Sequence, residues 1–192
     1  MNRNRLLVLL EIAIMSALAF VLGELKLYEM PQGGSISLVM LPIVLIALRR
    51  GLVAGLAAGF LVGELNHLIG GYVVHPIQLI LDYPLAYTVV GLVGLVRHIG
   101  WETKRIVMTW TFLLFAISCR FLLHFTSGII WFGEYAPEGV AVTTYSFLYN
   151  ISYLLPELII TGTVLSILLK KAPHLFISPV QTGRVFTQEK FN

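Results

Sequence analysis

The chain has 192 residues, 57% of them hydrophobic and only 12% charged, and its mean hydropathy is +0.86. A soluble domain carries nearer 45–50% apolar and about 25% charged residues, so this chain cannot clothe a globule in polar groups, and lipid is the solvent for most of it. The net charge of +3 is spread over short flanks of apolar runs, which excludes a nucleic-acid surface, and the lone Cys119 excludes an internal disulfide or a cysteine-based zinc site.

Crossing about 30 Å of hydrocarbon takes roughly 20 helical residues. The first apolar run is Leu6–Leu22. Arg3 and Arg5 precede it as they would in a signal peptide, but Glu11 interrupts the run and five more apolar segments follow. It therefore reads as a first span and not a leader. Next comes Ile36–Leu48, short and containing Pro42, then Leu52–Ile69, Pro76–Val96, Ile106–Phe132 and Val140–Leu169. The last two exceed the requirement and are expected to tilt or to emerge from the bilayer. Pro84 and Pro156 fall inside spans, where neighbouring groups can satisfy the freed carbonyls. From Ala172 onward the chain turns polar and aperiodic. These features predict an all-α integral membrane protein of six transmembrane helices, with one bundle domain over residues 1–175 and a polar cytoplasmic tail over 176–192.

The basic residues set the expected topology. The N-terminus, the Arg49-Arg50 turn, the Arg97–Arg105 loop and the tail hold eleven of the 13 Lys and Arg residues, whereas Glu24, Glu29, Glu134 and Glu138 fall in the intervening loops. This alternation predicts both termini in the cytoplasm, and it requires Ile36–Leu48 to cross.

Ionisable side chains at membrane depth are costly and normally face a cavity or one another. Here they are Glu11, Glu64, His67, Asp82, Arg120, His124 and Glu157. At about 1.5 Å per residue, most of them converge with Tyr145 and Asn150 on the outer half of the bilayer, whereas Glu11 and Glu157 fall nearer the cytoplasm. Arg120 and His124, Gln78 and Asp82, Tyr83 and Tyr87, and Tyr145 and Tyr149 are spaced to share helix faces. Rings together with carboxylates suit a planar, cationic or heteroaromatic ligand.

Each residue also has a plainer reading. Asp82 and Arg120 could simply pin two helices, His124 could be a satisfied bundle histidine, and Tyr72, Trp131, Phe132, Tyr135 and Tyr145 could form an interfacial aromatic belt. Glu64-x-x-His67 has metal-ligand spacing but no partner motif, and no metal or cofactor is expected. Gly55, Gly59 and Gly63, like Ala13 and Ala17, repeat at four-residue spacing and would let another helix approach closely. No phosphate-binding G-x-x-x-x-G-K-[ST] string occurs, so the chain is not expected to use ATP itself. Neither Glu-Glu-x-x-x-Arg nor His-Glu-x-x-His occurs, which argues against an intramembrane protease.

The stretches EIAIMSALAF (11–20), PQGGSIS (31–37), LRRGLVAGL (48–56), LDYPLAY (81–87) and HFTSGIIWFGEYAPEG (124–139) carry a resemblance. Over about residues 5–175 the chain resembles the thiamine-specific S components of energy-coupling factor (ECF) transporters, the ThiT/YuaJ family. The resemblance implies an S-component-type bundle in the cell membrane that captures thiamine from outside and catalyses no reaction. It implies as partners a transmembrane coupling protein and two ATPase subunits. It assigns the aminopyrimidine to Asp82 and Tyr83. The further ligand contacts it implies are Arg120, His124, Gly128, Tyr145, Asn150 and Tyr72, with Trp131 or Phe132 stacking on the ligand. Asp82 stands where relatives carry a longer glutamate, and Gly33-Gly34 where some carry a tryptophan. Ala13 and Ala17 match the small-residue motif that touches the coupling protein. The closest rival is a binder of another vitamin or a thiamine precursor.

Overall fold

The computed structural model describes residues 3–99 and 104–177. Most of the expected polar tail and part of the Arg97–Arg105 loop therefore lie outside the described residues. The described chain is mostly helical, and five of its helices are long and apolar enough to cross a membrane. These are α1 (Arg3–Glu24), α3 (Leu52–Gly70), α4 (Pro76–Arg97), α5 (Arg105–Trp131) and α6 (Val142–Lys171).

The sixth segment differs from its expected form. Residues 35 and 36 belong to a small antiparallel hairpin, β1 (Tyr28–Glu29) with β2 (Ser35–Ile36), and helix α2 begins only at Met40 and ends at Arg50. Eleven residues rise about 16 Å, half the hydrocarbon thickness. The short length is tolerable because α2 sits inside the bundle: Met40, Ile43, Val44, Ile46, Ala47 and Leu48 are all fully buried. A helix wrapped by protein need not match the lipid. Pro42 falls in its first turn, where the missing N–H would have had no helical partner.

Helix α4 is not a regular α-helix. An α-turn (Pro76–Ile80) leads into a π-helical turn (Leu81–Leu85), a short α segment (Ala86–Thr88) and a 3₁₀ stretch (Val89–Ile99) that runs two residues past the span. Pro84 lies in the π-turn. A proline removes one ladder hydrogen bond and crowds the carbonyl four residues back, and the wider turn relieves that clash. Asp82 and Tyr83 stand on this turn.

The glycines of α3 fix where that turn lies. A methyl carbon on Gly63 would fall 2.5 Å from the Tyr83 carbonyl oxygen and 2.6 Å from Pro84 Cα. A methyl carbon on Gly55 would fall 2.8 Å from the Gly91 carbonyl oxygen, and one on Gly59 would clash with the Tyr87 carbonyl. The four-residue glycine series thus lets the backbones of α3 and α4 touch.

The opposite end of the bundle is held by charges. Glu11 on α1 takes Arg50 Nε and Nη2 at 2.6 Å each, and Arg49 Nε at 3.1 Å. Arg49 also donates to the carbonyls of Leu175 (3.0 Å) and Ile177 (2.7 Å), while Arg97 donates to the carbonyls of Leu48 and Arg49. Glu11, an anomaly in an apolar span, is the anchor of this cluster. Ala13 and Ala17, close by on α1, face outward and are exposed.

Candidate functional site

A cavity of about 620 Å³ opens at the bundle end where the hairpin and the 70–75 and 132–141 loops gather. Nine of the ten residues expected at the ligand line it: Tyr72, Asp82, Tyr83, Arg120, His124, Gly128, Phe132, Tyr145 and Asn150. Trp131 does not. It is the last residue of α5 and stacks on His75, the residue capping α4, with ring centroids 5.2 Å apart. Phe132 leaves the helix at that point and turns to the cavity.

The polar groups form one chain of hydrogen bonds across three helices. Asp82 Oδ2 accepts from Gln78 Nε2 (2.8 Å) and Ser127 Oγ (2.7 Å), and Oδ1 lies 3.0 Å from His124 Nδ1. Arg120 Nε donates to His124 Nε2 at 3.3 Å. That nitrogen must therefore be the unprotonated one, so the His124 proton sits on Nδ1 and is donated to Asp82. Arg120 Nη1 continues to Glu157 Oε2 at 3.1 Å, and Ser37 Oγ donates to Glu157 Oε1 at 3.2 Å. The Arg120 guanidinium also lies 4.5 Å from the centre of the Tyr87 ring.

The plainer reading, in which Asp82 and Arg120 pin two helices as a direct pair, does not hold: Asp82 pairs with His124 and Arg120 with Glu157. Arg120 and Glu157 are 4% and 1% exposed. Removing one partner of such a pair strands a buried charge, at about 3–5 kcal/mol.

Rings surround this network. Tyr83 Oη accepts from the Tyr72 backbone N–H at 2.6 Å, which ties the loop before α4 to the π-turn. The Tyr72 and Tyr135 hydroxyls meet at 3.0 Å, and this shared hydrogen bond pushes the Tyr135 phenol up to about 12. At the mouth Lys26 pairs with Glu29 at 2.8 Å, which raises the lysine above its ordinary value.

The hairpin tip roofs the cavity. Gly33 and Gly34 adopt φ of 90° and 84°, a left-handed backbone that favours glycine. A side chain on Gly34 would also strike the Tyr153 ring, with Cβ 2.8 Å from Cε1. Tyr149 holds the tip from below: its hydroxyl accepts the Gln32 N–H (3.0 Å) and donates to the Gly33 carbonyl (2.7 Å). Gly128 leaves room for α6, because a Cβ there would fall on the Ser146 hydroxyl. Asn150 donates to the Ser146 carbonyl (2.9 Å) and accepts from Tyr153 Oη (2.9 Å).

Several lining residues were not singled out from sequence. Ser127 had a usable signal, lying three residues after His124 and seven after Arg120 on one helical stripe. Gln32 and Ser37 had none, because nothing in a Gly-rich turn shows where it folds over. Glu64 and His67 lie outside the cavity lining, 3.9 Å apart. Among the described residues no group of three or more His, Cys, Asp or Glu side chains gathers as a metal site would require.

Fold and site together define a class: a multi-pass helical membrane protein with a polar, ring-lined chamber for a small molecule at one end. Residues 9–177 match the family described as thiamine transporter protein (Thia_YuaJ). The chain is 40% identical to the thiamine transporter ThiT of Bacillus subtilis, over 93% of this chain and 98% of that one. It is 33% identical to the ThiT of Lacticaseibacillus paracasei, over 97% of each. The solved structure of ThiT from Listeria monocytogenes superposes with a TM-score of 0.78 at 33% identity, covering 90% of this chain and 98% of that one. The chain belongs to the thiamine transporter family, a family of transporters and not of enzymes.

Proposed function

We propose that this protein binds thiamine in the cavity from outside the cell and is the substrate-binding S component of an ATP-driven ECF uptake transporter. Thiamine joins an aminopyrimidine to a thiazolium cation. Asp82 offers a carboxylate to the amino group, with Tyr83 beside it. Tyr72, Phe132 and Tyr145 supply ring faces for the heterocycles, and His124, Arg120 and Asn150 supply further polar contacts. Among the lining residues Glu24 and Glu29 outnumber Lys26 at the mouth, which draws a cation toward the opening, while further in Asp82 and Arg120 carry opposite charges.

The observation that carries this reading is the Asp82 carboxylate, held by three neighbours in the wall of a ring-lined chamber, in a member of the thiamine transporter family. The distribution of Lys and Arg supports both termini in the cytoplasm. In that orientation the cavity opens outward, and α2 with the hairpin before it makes the sixth crossing. Ala13 and Ala17, exposed on α1, would receive a helix of the coupling protein, which carries with it two ATPase subunits. The reading is tested by mass spectrometry of the small molecules that copurify with detergent-solubilised protein. Thiamine is the expected ligand, and a different vitamin in stoichiometric amount would overturn the assignment.

A further inference from the structure

Glu157 stands behind the cavity and not in its wall. It is 1% exposed; its Oε2 takes Arg120 Nη1 at 3.1 Å and its Oε1 takes Ser37 Oγ at 3.2 Å. Arg120 itself lines the cavity. Among the described residues the hydrogen-bonded network at the deep end carries its charges on Asp82, Arg120 and Glu157, while His124 is neutral because it accepts from Arg120. Asp82 and Arg120 alone would cancel, and a cation entering there would meet a bare guanidinium. With Glu157 behind it, the guanidinium is neutralised and the deep end stays net negative.

We infer that Glu157 is the residue that makes the chamber select a cation over a neutral molecule of the same shape. The inference rests on the thiamine reading above. Glu157 acts through Arg120 and through space and makes no contact with the ligand, so it is a positioning residue. A buried charge one side chain away is weakly screened, and its loss is felt at the ligand. The bond to Ser37 anchors the carboxylate to the foot of the hairpin. Its charge is thus held between a wall of the site and the element that roofs it.

The test compares thiamine with the neutral isostere in which carbon replaces the thiazolium nitrogen, each titrated into the full-length purified chain. Glu157→Gln should weaken thiamine about tenfold more than it weakens the isostere, because only the cation feels the lost charge. Glu157→Asp keeps the charge and should hold the ratio of the two affinities within about threefold of the unmodified protein. Equal weakening of both ligands by Glu157→Gln, or none, would overturn the inference, since a purely structural role affects both alike. Where Glu157→Gln does not fold, R120Q/E157Q removes the two charges together and should keep the ratio within about threefold. A tenfold fall in that ratio for the double variant would equally overturn it. Failure of the unmodified protein to bind thiamine would count against the thiamine reading. Binding with an unchanged ratio in the variant would count against Glu157 alone.

Discussion

Asp82 and His124 meet at 3.0 Å between α4 and α5, although 42 residues separate them in the chain. The carboxylate is positioned by a π-turn and the imidazole by its own bond to Arg120. Both therefore face the cavity already oriented, and the ligand need not order them.

The first prediction follows from that pair. Asp82→Asn keeps the side-chain volume and removes the charge and one acceptor. Thiamine binding should weaken by about 1.5–3 kcal/mol, the range for a hydrogen bond to a charged group. Equilibrium binding to the folded variant checks it, and unchanged affinity would leave Asp82 a helix-pinning role only.

Phe132 and Trp131 are neighbours in sequence but not in role. Phe132→Ala should reduce thiamine affinity by about 0.5–1.5 kcal/mol beyond the loss of buried area, because a ring lining the cavity is removed. Trp131→Ala should cost less in binding, since that ring stacks on His75. Parallel titrations decide the matter, and the reverse order would move the stacking role to Trp131.

Gly63 carries a prediction about shape. With Cβ at 2.5 Å from the Tyr83 carbonyl, Gly63→Leu forces α3 and α4 apart. It should destabilise the protein by about 1–3 kcal/mol, the usual cost of overpacking, and weaken thiamine binding by displacing the turn that bears Asp82. Thermal unfolding in detergent and a thiamine titration measure the two effects. A stable variant with full affinity would mean that the glycine contact does not position the site.

Much of this arrangement was legible in the sequence, because cost at membrane depth is a strong filter. Asp82, Arg120, His124, Tyr145 and Asn150 could be grouped by rise per residue alone. The partner of Arg120 could not. Counting rise from straight helices sets Glu157 nearer the cytoplasm than Arg120. Helical side chains, however, lean toward their own N-terminus, and α5 and α6 run in opposite directions. Arg120 and Glu157 therefore lean toward each other and close a gap that a count of Cα positions leaves open. The π-turn was hidden for a similar reason. Pro84 announces a disturbance, but its form depends on how closely the α3 glycines let α4 approach. Helix α2 looked too short because the length rule assumes lipid around it, and its neighbours are protein.

Capture and transport should be separable. Ala13 and Ala17 are exposed on α1 and are not part of the chamber lining. If the proposed docking face is right, replacing both with tryptophan should abolish assembly with the proposed coupling protein and uptake, while thiamine binding stays unchanged. Uptake assays beside binding assays check this. Loss of binding, or full uptake, would place the docking face elsewhere.

The most direct measurement is a calorimetric titration of the purified chain alone, without any ATPase, with thiamine. The account predicts saturable one-to-one binding with Kd below about 1 µM, or about −8 kcal/mol, because every residue of the proposed site belongs to this chain. Folded protein that gives no saturable thiamine binding under those conditions would contradict it.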